Sequence, residues 1–225
     1  MKKYELTAEF IEKWGKKLFR IKALISFGSV EAGELGGYIE KEDNLAHDGN
    51  AWVSGNARVS GNARVSGDAE VSGDAEVSGN AWVYGNAEVS GNAWVYGNAE
   101  VSGDARVSGN ARVYGNARVS GDAEVSGDAR VSGDAEVSGN ADYLLIGRIG
   151  SRFSFTTFFK NKDKGITVSC GCFLGTIAEF RAKVTDTHGN NKHAKIYNLA
   201  ADMAELQILG EEHFDKLNTN KSELF

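Results

Sequence analysis

A six-residue pattern of apolar and polar positions runs through the middle of the chain. Glycine stands at every sixth position from Gly49 to Gly139, and each repeat up to Ser138 consists of Gly, Asn or Asp, Ala, a variable residue, Val, and Ser or Tyr. In a strand, Ala and Val would point to one side, and the variable residue and Ser or Tyr to the other. Gly followed by Asn or Asp suits the left-handed backbone of a tight corner. A strict short period predicts a repeat architecture, and a period of six predicts a β-solenoid.

The repeat resembles the hexapeptide-repeat family, whose fold is a left-handed parallel β-helix with three six-residue units in each triangular coil. The resemblance covers residues 49–141 directly and residues 37–146 if degenerate coils are included. It implies an all-β solenoid of about five to six coils. The left hand rests on the resemblance alone, because ordinary parallel crossovers are right-handed.

The segments on either side of the repeat predict caps. KLFRIKAL alternates, and Gly15 offers a turn after EFIEKW, so residues 1–36 are expected to form a small β cap at the N-terminus. By repeat register His47 falls where Val belongs, which we attribute to an irregular first coil or to its cap. DYLLIG is expected to be the last coil strand. Residues 147–225 are then expected to form an α+β domain with a hairpin of RFSFTTFF and ITVSC and two helices.

Each predicted helix has a start signal and an apolar side. Thr176 and Glu179 form a capping box at the start of the first helix, and the second helix begins after Gly189-Asn190-Asn191 and ends at Gly210. The apolar residues assigned to the first helix are Ile177, Phe180 and Val184, and those assigned to the second are Ile196, Leu199, Met203 and Leu206.

Composition narrows the class of protein. The chain has 225 residues, a net charge of -6, no Pro and only 2 Cys. Two cysteines cannot form a disulfide scaffold, and the negative charge argues against general nucleic-acid binding. The start MKKYELTAEF lacks the apolar stretch of a signal peptide, and no run approaches membrane-spanning length. We therefore expect a cytoplasmic protein that does not bind membranes.

Outward positions eighteen residues apart should stack into three faces. The first face carries Trp52, Glu70, Glu88, Arg106, Glu124 and Asp142, the second Arg58, Glu76, Trp94, Arg112 and Arg130, and the third Arg64, Trp82, Glu100, Arg118 and Glu136. Within the repeat, up to Ser138, the six Arg and six Glu at these positions cancel. The negative excess of the repeat therefore comes from corner residues, which are Asp68, Asp74, Asp104, Asp122, Asp128 and Asp134.

Aromatic residues concentrate on two of these faces. Trp94, Tyr96 and Tyr114 share the second face with Arg112 and Arg130. On the third face Trp82 and Tyr84 lie together. An outward aromatic cluster marks an interface or a ligand surface more often than chance. The rings would either pack a homotrimer, which is the usual assembly of the resembled family, or bind a ligand whose anionic group meets the arginines. The two interpretations are compatible.

A weak metal-site candidate lies near the C-terminus. Cys170 and Cys172 would point to the same side of a strand, and His188 and His193 are the nearest candidate partners. The Cys-x-Cys spacing is shorter than that of the usual zinc sites, so half-buried thiols with surface histidines are the alternative. We expect neither a metal nor a cofactor.

The flanking motifs suggest an origin but no activity. FRIKAL, AGELGGYIEKEDNLAHDGNAWV, GSR, TTFF, CGCFLGT, EFRAKV and THGNNKHAK are similar to segments of hexapeptide-repeat proteins encoded by phages and prophages. This resemblance implies a protein that works in the bacterial host, where small phage proteins often act against defence systems.

Enzymatic activity is not expected. Acyltransferases of the resembled family use a His from a coil as general base, whereas residues 49–141 contain no His, Lys, Cys or inserted loop. The three His ligands of a γ-type carbonic anhydrase are absent from these coils as well. We therefore expect a binding protein that sequesters a small nucleotide-type anion between subunits. The alternative is a structural or protein-interaction scaffold whose acidic corners meet a partner such as a host defence protein.

Overall fold

A computed structural model describes residues 2–211 of the chain. The repeat forms a β-solenoid, as predicted, with strands at its N-terminal end and a domain of two helices and a small sheet at its C-terminal end. The handedness of the solenoid stays a prediction. Residues 212–225, the end of the predicted C-terminal domain, lie outside the described residues, as does residue 1.

The strands follow the order of the sequence pattern. Before the repeat come β1 (Tyr4–Lys13), β2 (Lys16–Ala23) and β3 (Leu35–Ile39). The repeat contributes two-residue strands, which are β4 (Trp52–Val53), β5 (Arg58–Val59), β6 (Arg64–Val65), β7 (Glu70–Val71), β8 (Glu76–Val77), β9 (Trp82–Val83), β10 (Glu88–Val89), β11 (Trp94–Val95), β12 (Glu100–Val101), β13 (Arg106–Val107), β14 (Arg112–Val113), β15 (Arg118–Val119), β16 (Glu124–Val125), β17 (Arg130–Val131) and β18 (Glu136–Val137). The C-terminal domain contains β19 (Tyr143–Ile149), β20 (Ser154–Lys160), β21 (Ile166–Cys170), β22 (Phe173–Thr176), α1 (Ile177–His188) and α2 (Lys192–Leu209).

Every third repeat strand belongs to the same parallel sheet. The first face consists of β4, β7, β10, β13 and β16, the second of β3, β5, β8, β11, β14 and β17, and the third of β6, β9, β12, β15 and β18. Residues eighteen apart are register partners, as in Trp94 with Arg112 and Arg112 with Arg130. The predicted grouping into three faces is therefore confirmed for the repeat strands. Two residues expected on the outside of the first face are not there: Trp52 is buried against Phe27 of the N-terminal cap, and Asp142 is buried in a 3-10 turn after the last coil strand.

Apolar packing inside the coils and glycine at the corners explain why the repeat is so strict. The repeated Ala and Val positions from Ala51 to Val137 are all buried. Each buried Val contributes roughly 1.5–3 kcal/mol of transfer free energy. At the corners, Gly91 has a φ of +66°, and a Cβ there would lie 3.0 Å from the backbone nitrogen of Gly109. Both the backbone conformation and the close approach of the next coil therefore require glycine.

Backbone hydrogen bonds between coils run in one direction. The N–H of Trp94 donates to the carbonyl oxygen of Ala111 at 2.9 Å, and the N–H of Tyr96 donates to Val113 at 3.0 Å. Each coil thus donates to the coil that follows it. The first coil is left with carbonyl oxygens to satisfy, and the last coil with N–H groups, because buried backbone groups need partners.

The N-terminal cap supplies donors to the first coil. The side-chain amide of Asn44 donates to the carbonyl oxygens of Gly61 at 3.1 Å and Ala63 at 2.8 Å. The buried ammonium of Lys3 donates to the carbonyl oxygen of Ala51 at 2.9 Å. These side chains donate the hydrogen bonds that backbone N–H groups of a preceding coil would otherwise donate.

The C-terminal end supplies acceptors to the last coil. The N–H of Glu124 donates to the side-chain oxygen of Asn140 at 2.8 Å, and the N–H of Arg130 donates to the hydroxyl oxygen of Thr157 at 3.0 Å. The fully buried ring of Phe159 packs against the end of the solenoid core. Strand β20 therefore accepts a hydrogen bond from the last coil through Thr157 and covers the apolar core at this end with Phe159.

At the ends of the solenoid one prediction was wrong, and the expected irregularity around His47 is present. DYLLIG is not a coil strand, because β19 pairs antiparallel with β20 in the sheet β19-β20-β21-β22. His47 does not take the Val position of a first coil, because buried Leu45 pairs with Val65 there. His47 instead accepts a hydrogen bond from the N–H of Lys3 at 3.2 Å and stacks on Tyr4 at 4.4 Å. A 3-10 turn over Glu42–Asn44 replaces the glycine corner and shifts the register.

The hairpins and helix starts agree with the sequence predictions. β1 and β2 form a hairpin whose turn residues Trp14 and Gly15 both have positive φ. β20 and β21 form the second predicted hairpin. The capping box of Thr176 and Glu179 is present, and the side chain of Asn191 caps α2.

The predicted apolar side of α2 was wrong. Ile196, Leu199, Met203 and Leu206 are exposed. The buried side of the helix is formed mainly by small residues, which are Ala194, Ala200, Ala201 and Ala204, together with Tyr197 and Ile208. Alanines allow the helix to approach its neighbours closely, so the larger apolar residues lie on the opposite side. Neither α1 nor α2 is long and apolar enough to cross a membrane, within residues 2–211.

We expect Asn44→Ala to lower the free energy of unfolding by about 1–3 kcal/mol, because it leaves the buried carbonyl oxygen of Ala63 and the partly buried one of Gly61 without this donor. Urea denaturation followed by tryptophan fluorescence would measure the change. The matched control is Asn86→Ala, which removes an exposed hydrogen bond to Asp104 and should cost less than about 0.5 kcal/mol. Equal losses in the two variants would contradict the capping role of Asn44.

A second prediction concerns the acid end of the pH range. Burial alone would raise the pKa of Asp142, but hydrogen bonds from Lys160 and Ser138 hold this pKa below its usual value. The stability that Asp142 contributes should be complete above the unfolded pKa of about 3.9 and should be lost as the pH falls through the folded pKa.

Asp142→Asn should therefore be less stable at pH 7 by about 1–3 kcal/mol and should lose less of its remaining stability between about pH 5 and pH 2. Urea melts across this range would test the difference. Asp163→Asn, at an exposed turn, is the control, and its free energy of unfolding should change with pH as that of the wild type does. A wild-type slope in Asp142→Asn would contradict the proposed linkage.

Candidate binding face on the solenoid

The second face carries a column of large outward side chains. Their register partners run in the order Tyr38, Arg58, Glu76, Trp94, Arg112 and Arg130. Each of these residues precedes a buried Val or Ile, so strand alternation fixes it on the outside. The column therefore presents its side chains at regular intervals of about 4.8 Å.

Trp94 and Arg112 are in direct contact. The guanidinium carbon of Arg112 lies 5.0 Å from the centroid of the Trp94 ring, and Trp94 is 36% exposed. A cation over an indole ring at an exposed site contributes about 0.5–1 kcal/mol. The contact holds the guanidinium in place, so less conformational entropy would be lost when it binds a ligand.

Arg112 and Arg130, like Arg64 on the third face, lack the ion pairs that the other arginines of the coils have within the described residues. Arg58, Arg106 and Arg118 each pair with a Glu one coil away at 3.4–3.8 Å. Within the described part of the chain, no ion pair involves Arg112 or Arg130, although the two are register partners. Like charges directly opposite each other in a sheet are destabilising. Glu70 and Glu88 form another like-charge pair on the first face, so it is the exposed Trp94 beside Arg112 that makes the arginine pair a candidate for binding.

Tyr96 and Tyr114 flank this column. Their rings stack in parallel with centroids 5.0 Å apart and an angle of 1° between the planes. Burial, and then the neighbouring Tyr114 phenol, raises the pKa of Tyr96, against the opposing effect of Arg112 and Arg130. The Tyr96 hydroxyl is therefore protonated at neutral pH and can donate a hydrogen bond.

The predicted aromatic residues divide into two clusters. Trp82 and Tyr84 contact each other edge to face at 6.4 Å, and they are 49% and 37% exposed on the third face. Trp94, Tyr96, Tyr114, Arg112 and Arg130 lie on the second face. The second cluster combines aromatic rings with two adjacent arginines, whereas Trp82 has a single arginine, Arg64, as its register partner.

The ends of the second face are bounded by the two caps. At one end the β1–β2 hairpin reaches across the coils, and Lys13 pairs with the buried carboxylate of Glu76 at 3.0 Å. At the other end Arg130 lines a cleft of about 170 Å³ with Phe155 and Ser169 of the C-terminal sheet. No feature of the sequence pattern predicted that the hairpin would reach Glu76.

Between these ends lies a shallow recess of about 560 Å³. Its lining residues are Arg58, Asp74, Asn92, Trp94, Asn110, Arg112 and Asp128. Within this set, Asp128 accepts a hydrogen bond from the Asn110 amide at 3.1 Å. Of its two arginines, Arg58 pairs with Glu76, so Arg112 is the cation with free hydrogen-bonding capacity among the described lining residues.

The corner residues form ladders of their own. In the longest ladder each amide donates to the next coil, from Asn62 through Asn80, Asn98 and Asn116 to Asp134. Asp134 also pairs with Lys162 at 2.7 Å. Asp74 and Asp104 accept from Asn56 and Asn86 in the same way. Most corner carboxylates therefore have hydrogen-bond donors within the chain.

The candidate metal residues do not assemble into a site. Cys170 ends β21, but Gly171 and Cys172 form the turn before β22, so the predicted placement of both thiols on one strand face was wrong. The rings of His188 and His193 lie 5.9 Å apart. Among residues 2–211, no group of three His, Cys, Asp or Glu side chains is arranged to hold a metal ion.

Comparison with known families agrees with the geometry of the coils. A family model described as the YdcK beta solenoid repeat matches residues 51–67, 57–73 and 111–127. The chain is a β-solenoid repeat protein. No match was found among curated proteins. The matched windows of this β-solenoid repeat protein lie on coils whose inner Ala and Val positions are buried.

Reversing the charge of one unpaired arginine should show whether the repulsion between Arg112 and Arg130 lowers the stability of the fold. Arg130→Glu replaces a repulsive partner of Arg112 with an attractive one, so the free energy of unfolding should rise by a few tenths to about 1 kcal/mol. Arg106→Glu is the matched control on the first face, where Arg106 lies between Glu88 and Glu124, and its stability should fall.

Urea denaturation at low ionic strength would measure both variants, and the difference should shrink in about 1 M salt because exposed charges are screened. Equal destabilisation by the two substitutions would show that Arg112 and Arg130 do not strain the fold.

Proposed function

We propose that this β-solenoid repeat protein is a non-enzymatic binding protein that holds a small anionic ligand of nucleotide type on the second face. The observation that carries the proposal is the pair of adjacent, unpaired arginines beside an exposed tryptophan. A nucleotide offers both a flat ring and phosphate groups. Aromatic stacking contributes roughly 1–3 kcal/mol per base, and Arg binds phosphate through charge-assisted hydrogen bonds.

The contacts suggest a division of roles. The Arg112 guanidinium carbon lies 5.0 Å from the Trp94 ring centroid, and no ion pair within the described residues occupies the N–H groups of Arg112, so they would bind a phosphate. Arg130, one coil further along, provides the second positive charge. The exposed part of Trp94 and the Tyr96–Tyr114 stack provide the aromatic surface. The ligand would thus span about two coils.

The side chains of the second face favour ligand binding over catalysis. The recess contains Arg, Trp, Asn and Asp side chains, and its lining includes no His, Cys or Lys within the described residues. Asp128 accepts a hydrogen bond along the corner ladder, so its carboxylate is engaged structurally. We therefore infer no catalytic residue on this face.

The resemblance to the hexapeptide-repeat family supports the further proposal that the protein is a homotrimer with ligand sites between subunits. A homotrimer would place the third face of one copy near the second face of the next, so that Trp82 and Tyr84 could complete the site. The phage-like flanks point to work in the cytoplasm of a bacterial host, where the ligand would be a nucleotide signal of a defence system.

A protein-interaction scaffold is the second candidate. The observation that favours it is the set of exposed corner carboxylates, but several of these accept hydrogen bonds from asparagines of the preceding coil. Under this alternative, reversing the charge of Asp68, Asp74, Asp122 and Asp128 would abolish capture of a host partner, and Trp94→Ala would not.

Native mass spectrometry should reveal the ligand directly. Protein purified from phage-challenged host cells without ligand removal is expected to appear as a trimer that carries an intact small molecule. Trp94→Ala and Arg112→Gln should lose most of that mass, because each removes one of the proposed contacts. Arg106→Gln, at an exposed Arg of the first face that pairs with Glu88 and Glu124, should retain it.

Calorimetric titration provides the complementary measurement. ADP-ribose and cyclic dinucleotides are the probes, and Arg112→Gln should weaken the binding of the active probe at least about tenfold. Protein free of any bound molecule, together with no heat from either class of nucleotide, would overturn the ligand proposal.

A further inference from the structure

The C-terminal domain contains a groove that lies outside the solenoid. It has a volume of about 230 Å³ and opens between α1, the β21–β22 turn and α2. Its lining includes Arg152, Cys170, Phe173, Lys183 and Tyr197. The groove adjoins the Arg130 cleft, but Trp94 and Arg112 do not line it.

The floor of the groove is apolar and rigid. Phe180 contacts Tyr197 edge to face at 5.7 Å and lies 5.7 Å from Phe173. Phe180 and Val184 are buried, so the floor is part of the packed core of this domain. A preformed apolar wall with a few converging polar groups is the usual form of a small-molecule site.

The charge of the groove is opposite to that of the chain. The chain contains 31 Asp and Glu residues against 25 Lys and Arg residues. The described residues that line the groove include Arg152, Lys183 and His188 but no Asp or Glu. Lys183 pairs with Asp186 at 3.0 Å, whereas no ion pair involves Arg152 in the described part of the chain. The groove therefore favours an anion near Arg152.

Polar groups also meet at the inner end of the groove. Thr156 donates a hydrogen bond to the Sγ of Cys170 at 3.2 Å, and Cys170 lies beside the Tyr197 hydroxyl. Burial, and then Cys170, raises the pKa of Tyr197, so this phenol stays protonated and can donate. A Cβ on Gly150 would overlap the Tyr197 hydroxyl, so glycine at this position with a φ of +72° makes room for it.

We propose that this groove is a second binding site, which takes a small aromatic anion. The flat ring would lie against Phe173 and Phe180, and the anionic group would meet Arg152. The volume suits a molecule of one or two fused rings rather than a dinucleotide. This proposal does not rest on the function proposed for the second face.

Cys170 offers a probe inside the groove. The chain has 2 Cys, so Cys172→Ser leaves Cys170 as the sole thiol, and its modification by N-ethylmaleimide can be followed by intact mass. Indole-3-acetate is the test anion, and neutral indole is the matched uncharged probe. We expect indole-3-acetate to slow the modification at least about fivefold in a saturable manner, and indole to protect much less.

Substitutions then locate the anion. In the Cys172→Ser background, Arg152→Gln should raise the concentration of indole-3-acetate needed for half protection about tenfold, and Lys183→Gln should raise it less. Arg148→Gln, at an exposed position outside the groove, and Trp94→Ala on the second face should leave it unchanged. Circular dichroism would verify that each variant is folded.

The outcomes separate the parts of the proposal. Absence of protection by indole-3-acetate would overturn the site. Equal protection by neutral indole, or unchanged protection in Arg152→Gln, would overturn the assignment of an anionic ligand. If Trp94→Ala loses nucleotide binding while indole-3-acetate still protects Cys170, the groove is a site separate from the second face, as proposed.

Discussion

The one-way direction of the hydrogen bonds between coils is the constraint on which the rest of the structure depends. Because every coil donates forward, the two ends of the solenoid have opposite chemical needs. Lys3 and Asn44 donate to the first coil, whereas Asn140 and Thr157 accept from the last. The caps are therefore not interchangeable. They also bury the open edges, which would otherwise pair with other chains.

The uniform interior leaves the outer positions free to vary. Inner Ala and Val residues and corner glycines are set by packing and backbone conformation, so they carry little information about function. Outer residues that stabilise the stack alternate in charge, as in the column of Glu88, Arg106 and Glu124. Arg112 and Arg130 depart from that rule beside Trp94. Glu70 and Glu88 depart from it on the first face as well, so the combination of like charges with an exposed aromatic ring, rather than the fold, singles out the second face.

Features that depend on local periodicity could be predicted from the sequence. The strands, their grouping into faces, the hairpin at Gly15 and the capping box at Thr176 all follow from spacing within a few residues or a fixed repeat. The aromatic cluster could be located for the same reason. Features that depend on tertiary packing could not. Leu45 displaces His47 from the Val position because the cap shifts the register, and alanines rather than large residues bury α2. The groove near Arg152 forms only when α1, α2 and a turn come together.

The threefold relation between the repeat unit and the coil restricts how such a chain can change in length during evolution. Duplicating eighteen residues would add a whole layer and keep every later side chain on its original side of the prism. Duplicating six residues would preserve all inner contacts equally well, yet it would rotate everything downstream by a third of a turn. A duplication of that size between Trp94 and Arg112 would leave the interior intact while carrying the arginines, and the whole C-terminal domain, around to another side. Duplication of a single repeat would thus leave the packing of the core unchanged, but it would change which side chains share a face.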